Sequence, residues 1–456
     1  METREYVWTR GNVFALVALC SAQVLDAVDT TVVNVALPAI EDELGFAAAD
    51  LSWVVNAYMV PFGGFLLLGG RMGDLFGHRR ILMGGVALFT VASLVAGLAQ
   101  NAGVLIGARA VQGLAAALVA PMTLALIALI FPEGRARSRA FAVWATATAV
   151  SSTLGLVVGG LLVDGAGWRS IFFVNVPVGV LLLLSGRFLP APGVVRWKGD
   201  FDVVGAVTAT AGVGLLAYAV LGAQWWLLLA GAASLAYFAF HESAVARRPL
   251  VDFALFRNRS VSGANLIQAV RAGALFGAFY LVTLFMQQVL GTSALMTGLA
   301  YMPLTVIMIG ASWAAPPLLR RFGIRAVVTC GMLVAAGGLL WLGGITPAGG
   351  LMASLVVPLA VAGAGFGIVI VPLTDAALSG VAPSDSGVAS ALLNVSAQLG
   401  GALGLAVLAT MAATRAGERP DAAALTDGYG LAFVVSAALM ALCAAIAMVF
   451  FGRRRA

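Results

Sequence analysis

The stretch LDAVDTTVVNVALP (25–38) decides how the chain must be read. It sets two carboxylates, Asp26 and Asp29, inside an apolar segment long enough to cross a membrane, predicted as a helix over 13–37. An ionised Asp at bilayer depth costs at least about 2.5–3.5 kcal/mol, so such residues face a polar cavity and usually serve it. Their i, i+3 spacing stacks both on one helix face.

Composition extends that reading to the whole chain. Of 456 residues, 61% are hydrophobic and 10% charged, against roughly 25% charged in ordinary soluble domains. Apolar stretches near or above about 18 residues recur along the full length, each a candidate transmembrane helix. The chain is therefore expected to be an all-α, polytopic membrane protein. Its net charge of +6 rests on arginine, since Lys198 is the only lysine. Those arginines fall in small groups between apolar spans, which points to membrane orientation and away from nucleic acid. Cys20, Cys330 and Cys443 all lie in predicted spans, so neither a disulfide framework nor a metal site is expected.

Fourteen spans are predicted, near 13–37, 52–70, 81–99, 103–130, 140–163, 170–189, 203–221, 225–241, 260–289, 296–318, 326–344, 351–379, 387–412 and 429–451. An even count puts both termini on one side. Arginine groups at 4–10, 71–80, 135–139, 187–198, 247–259, 320–325 and 453–455 share that side, which the positive-inside rule makes cytoplasmic. Glu41, Asp42, Glu43 and Asp50 fall opposite; Arg169, Arg415 and Arg419 dissent.

An internal repeat organises the spans. Ala57-Tyr58-Met59 with Pro61 returns as Ala300-Tyr301-Met302 with Pro303. GDLFGHRR (73–80) returns as LRRFGIR (319–325), and Ala120-Pro121-Met122-Thr123 as Val371-Pro372-Leu373-Thr374. The expected organisation is a six-helix bundle over 1–190, an inserted helix pair with flanking loops over 191–258, and a second six-helix bundle over 259–456. Repeated halves of this kind mark secondary transporters that rock about a midplane site.

VDTTVVNVALP (28–38), WVVNAY (53–58), GRMGDLFGHRR (70–80), RAVQG (109–113), GWRSIFFVNVPVG (167–179) and PLVDFALFRNR (249–259) occur in one order. Together they resemble the major facilitator superfamily, specifically its fourteen-helix drug:proton antiporter branch. The resemblance implies the major facilitator fold and proton-coupled export of hydrophobic, drug-like or antibiotic compounds by alternating access. The alternatives are transport of one specific metabolite, in either direction, and a non-transporting sensor. Three departures stand out. Leu75 and His78 replace basic residues of the loop motif; the glycine motif of helix five (Gly155, Gly159, Gly160) lacks its proline; the loop near Asp385 carries no arginine.

Proton coupling needs a buried group that loads and releases protons, and Asp26 and Asp29 are the candidates. The resemblance adds Arg109 and Gln112 as a proton relay. Arg109 lies at the depth of residues 29–34, so contact with Asp29 or with Asn34 is open. Arg271, displaced by the repeat, lands beside Asp26 and Asp29, either to pair with them or to share the substrate with them. Asn34, Asn56, Tyr58, Tyr301, Asn394 and Gln398 are further candidates for the cavity. Gly70, Gly73, Asp74, Gly77, Arg79 and Arg80 form an expected gating loop, where glycines allow tight turns and close helix approach.

GAGFG (363–367) reads as helix contact and not as a phosphate cradle. His-Glu-x-x-His, Gly-x-Ser-x-Gly and Gly-Lys-Ser/Thr motifs are absent from the sequence, which argues against hydrolases and ATP-driven transport. No cofactor is expected, and a proton gradient would supply the energy. The expected partners are a small hydrophobic substrate, protons and lipid, with the chain a monomer. Arginine-rich, lysine-poor usage points to a bacterial cytoplasmic membrane.

Overall fold

The structure is a computed structural model that describes residues 9–47, 50–132, 135–186, 189, 202–221, 224–246, 253–346, 352–381, 386–417 and 421–452. The first half comprises α1 (Arg10–Leu44), α2 (Trp53–Phe76), α3 (His78–Gly97), α4 (Ala102–Ile130), α5 (Arg135–Ala166), α6 (Ser170–Phe173) and α7 (Asn175–Ser185). Two helices follow, α8 (Val203–Leu221) and α9 (Trp225–Phe240). The second half comprises α10 (Arg259–Leu284), α11 (Ala294–Ala300), α12 (Met302–Leu342), α13 (Val357–Leu378), α14 (Ser386–Ala416) and α15 (Ala422–Phe450). No strand occurs among the described residues.

Helix ends follow local chemistry. Thr9, Asn101, Ser293 and Asp421 each accept a hydrogen bond from the backbone N–H three residues on, opening α1, α4, α11 and α15. Each such cap satisfies a donor the helix itself leaves orphaned. Gly45, at φ 66°, closes α1 in the left-handed region. The 35 residues of α1 extend about 52 Å at 1.5 Å per residue, well beyond a hydrocarbon core of about 30 Å. The helix is therefore longer than one crossing requires.

Nine helical segments among the described residues are long and apolar enough to cross a membrane. Shorter apolar helices lie at 53–66, 154–166, 170–185 and 203–219. Large apolar side chains ring the bundle's outside, with Trp313 78% exposed and Val449 71%. Water would not tolerate so much contiguous apolar surface, but lipid does. The chain is a multi-pass membrane protein.

Two expected spans are interrupted in the structure, 296–318 at Tyr301 and 170–189 at Val174. The loop expected at 319–325 falls at a kink between two helices, where Gly323 leaves helical angles at φ 78°, ψ 164°. The segment expected as one helix over 170–189 breaks at Val174 into α6 and α7. Pro177 has no N–H with which to bond back to Phe173, which explains the interruption. Gly77, between α2 and α3, also has positive φ, 93°. Gly77 and Gly323 occupy equivalent places in GDLFGHRR and LRRFGIR, so the repeat turns on the same residue type in both halves.

The helices touch through glycine, as expected where packing alone drives association in lipid. A Cβ built on Gly113 would fall 2.1 Å from Tyr58 O, and one on Gly69 2.1 Å from Ala117 O, joining α2 to α4. GAGFG is helix contact: a Cβ built on Gly365 would fall 2.3 Å from Ala335 N, and one on Gly367 2.1 Å from Met308 O. In α5, Gly155 faces Val28 and Thr31 and Gly159 faces Val32, seating α1. In α14, Gly400 faces Ala269 and Gly404 faces Gly273, seating α10 in the same way.

At the end of the bundle where α1 finishes, the two halves are fastened together. Gln287 donates to Val35 O at 2.9 Å and Gln288 to Glu41 at 2.6 Å. Asp164 of α5 accepts from the N–H groups of Ala294 and Leu295, at 3.1 and 2.9 Å, capping α11. Gly160 of α5 lies against Leu295, and Gly298 of α11 against Leu156. At this end two of the dissenting arginines are neutralised, Arg169 by Glu43 and Arg415 by Asp427; Arg419 lies outside the described residues. Between the halves, Asp202 accepts from Gly205 N at 2.7 Å and meets His241 Nε2 at 2.9 Å, tying the start of α8 to the end of α9.

Candidate functional site

The two aspartates of α1 belong to separate hydrogen-bond networks. Asp29 is fully buried and ion-paired to Arg109 of α4. Its Oδ1 also accepts from Asn175 Nδ2 at 2.7 Å and Gln112 Nε2 at 3.2 Å. Arg109 donates further to Val54 O at 3.0 Å and Gln112 Oε1 at 3.0 Å, while Gln112 donates to Ser93 Oγ at 2.9 Å. The guanidinium carbon stands 4.6 Å from the Tyr58 ring centroid and 5.9 Å from that of Phe172. Six helices thus contribute around one ion pair, whose charges and most of whose hydrogen-bonding groups are matched, as a buried pair requires.

Asp26 is also buried, but its partners are neutral. Tyr58 OH donates to Oδ1, and Gln23 Nε2 donates to Oδ2 at 3.0 Å. The other end of the Gln23 amide, Oε1, is buried without a hydrogen-bond partner among the described residues. Tyr58 therefore spans both networks, its hydroxyl on Asp26 and its ring over Arg109.

Of the two contacts open to Arg109, Asp29 is the one made; Asn34 donates to Thr30 O of its own helix at 3.1 Å. Asn56 is fully buried, and neither amide atom has a partner among the described residues. Tyr301 is buried too, its hydroxyl donating to Phe279 O at 2.6 Å, so it pins the end of α11 to α10. Gln398 is half-buried against Gly63 of α2, where the halves meet.

Arg271 makes no ion pair with Asp26 or Asp29. It bonds to Gln268 Oε1 through Nε at 3.1 Å and NH2 at 2.9 Å, and it lines a separate cavity with Asn394. In the predicted gating loop, Gly73 packs on Met122 Sδ, Gly70 has room for a Cβ, Gly77 makes the turn, Arg79 is half-buried and Arg80 exposed. The Asp74 side chain lies outside the described residues.

Four participants escaped the sequence reading: Asn175, Ser93, Gln23 and the Val54 carbonyl. Asn175 lay within a quoted motif, and a lone amide in an apolar run was the available signal. Replacing it with leucine (Asn175→Leu) removes a donor to an ionised group and should cost about 1.5–3 kcal/mol of stability. The check is the thermal midpoint of purified protein, which should fall while Arg109 still holds Asp29.

The architecture is that of a polytopic helical membrane protein with a buried ion pair among the helices of its first half. Residues 19–405 match the family model for the Major Facilitator Superfamily, and the chain belongs to that family. Among similar proteins is the cephamycin export protein CmcT of Amycolatopsis lactamdurans, 38% identical, with 93% of this chain and 90% of that protein covered. The puromycin resistance protein pur8 of Streptomyces alboniger is 35% identical, with 97% and 92% covered. A bacterial homologue of the human lysosomal transporter Spinster, solved inward-facing and unoccupied, superposes with a TM-score of 0.70 at 17% identity, covering 97% of both chains. The D-xylose–proton symporter gives a TM-score of 0.68 at 15% identity, with 97% and 99% covered. These two likenesses concern the fold alone.

Proposed function

We propose that this chain exports hydrophobic, drug-like compounds in exchange for protons, with Asp26 as the group that takes up and releases the proton. The observation that carries this reading is the difference between the two aspartates. Protonating Asp29 would strand Arg109 as an unpaired cation in the membrane, which is costly. Protonating Asp26 strands no counter-charge, because Tyr58 and Gln23 are neutral. Asp29 and Arg109 then hold α1, α2, α4 and α7 together while Asp26 works one helical turn away, linked through Tyr58.

Relatives named for antibiotic export and resistance support the direction and the class of cargo. The arginine distribution supports a bacterial cytoplasmic membrane, fourteen crossings and both termini inside. In that orientation the fastened end, from Gln287 to Asp164, is the external one, and the cargo path opens inward. Gly77, Gly323 and the motif around Asp74 lie at the cytoplasmic end, where they would close when the external contacts part.

The test is accumulation of a dye and antibiotic panel in cells with and without the protein. Expressing cells should retain less of at least one compound, and a protonophore should erase the difference. Equal accumulation across the panel, or efflux indifferent to the protonophore, would sink the proposal.

A further inference from the structure

Arg271 is 8% exposed, and Gln268, one turn away on the same helix, is its sole hydrogen-bond partner among the described residues. No carboxylate lies within ion-pair distance of it among those residues. Gln268 occupies two of the five guanidinium N–H groups, leaving three donors and the full positive charge unanswered. A cation held this deep in a membrane protein ordinarily has an anionic or carbonyl partner. The contrast is with Arg109, which is matched by a carboxylate, an amide and a backbone carbonyl.

The charge also has somewhere to act. Arg271, Gln268, Thr374, Ser390, Asn394 and Leu393 line a cavity of about 210 Å³ between α10, α13 and α14. Thr374 lies one turn from the end of α13, and Ser390 and Asn394 lie in the first turns of α14, so the cavity's polar lining lies toward the α10 N-terminal end, where Asn258 Nδ2 donates to Ser379 O at 2.6 Å. Asn394 spends one amide hydrogen on Ser390 O at 3.2 Å and has another to give. Drug-sized pockets run from about 300 to 1,000 Å³. This one is too small for a whole drug and suits one end of it.

We infer that the cavity is an anion subsite: Arg271 and Asn394 hold the carboxylate, or a similar planar anion, of an amphiphilic substrate whose apolar body extends beyond the pocket. The planar guanidinium fork matches a carboxylate's two oxygens, which a lysine would not do. This inference rests on the export reading for its purpose, but not for its test.

The probes are 7-(diethylamino)coumarin-3-carboxylate and its uncharged ethyl ester, which share a fluorophore and differ in the anion. Binding to purified protein is read by fluorescence anisotropy at neutral pH. Wild type should prefer the acid, and Arg271→Gln should weaken acid binding by about tenfold or more with the ester little changed. Arg271→Lys should recover part of the loss. If wild type binds the acid no better than the ester, or not at all, the inference is overturned; an equal loss for both probes in the glutamine variant overturns it too. Should that variant fail to fold, the wild-type acid-to-ester ratio decides alone. Equilibrium binding uses no proton gradient, so loss of acid preference leaves gradient-driven export standing, and failure of export leaves a measured preference intact.

Discussion

Replacement of Asp26 by asparagine is expected to abolish uphill export while leaving the protein folded and able to exchange substrate downhill. The asparagine oxygen can still accept from Tyr58. Its new NH2 would meet the Gln23 amide donor, but Gln23 Oε1 has no partner, so a flip of that amide restores the hydrogen bond. Geometry survives and titration does not. In proteoliposomes with an imposed pH step, Asp26→Asn should give neither substrate accumulation nor substrate-linked proton movement. Counterflow without a gradient should continue. An Asp26→Asn protein that still concentrates substrate would remove Asp26 from the coupling step.

Loss of Arg109 is expected to have the largest effect on stability. Arg109→Met leaves Asp29 buried and deprived of its counter-charge, at a cost of about 3–5 kcal/mol. Arg109→Lys should recover only part of this, because one ammonium cannot reach Asp29, Gln112 and the Val54 carbonyl together in the guanidinium's geometry. The decisive comparison is with Arg109→Met/Asp29→Asn, which removes both charges and should regain much of the lost thermal midpoint. If the double variant is no more stable than the single, the ion pair is not what holds these helices.

Much of this site was legible in the sequence, for a simple reason. Charges in apolar helices are few, and depth along a helix is readable at 1.5 Å per residue, so Asp29 and Arg109 could be matched by level alone. What depth does not reveal is rotation. Arg271 was expected beside the aspartates from a repeat offset of 243 to 251 residues. The glycine seats show the local register: Val28 corresponds to Ala269 and Val32 to Gly273. In that register Arg271 stands where Thr30 does, about 100° on from Asp29 but one turn on from Asp26, and it bonds back along its own helix to Gln268. Asn175 was hidden for a different reason, because a lone neutral amide in an apolar run does not announce a charged partner on another helix.

The interruption within the expected 170–189 helix and the kink at Gly323 are each marked by a single residue type. Hydropathy reports how long a segment stays apolar, and it is silent about a single residue that interrupts the helix's hydrogen bonds or its angles. Proline's missing N–H and glycine's freedom at positive φ carry that information instead. The orientation rule had a comparable blind spot. Arg169 and Arg415 look like exceptions when charges are counted along the chain, and each proves to be cancelled in space by an acid beside it.

The matching glycine cradles on α5 and α14 have a consequence for how such a molecule can change its chemistry. Each grips its passenger helix by backbone and small side chains on one side, leaving the remaining faces free to carry different functional groups. One passenger brings acids and the other brings a base, yet the grip is the same. A lineage could therefore revise what is carried across the membrane by altering the cargo of either helix, without redesigning the hands that hold it.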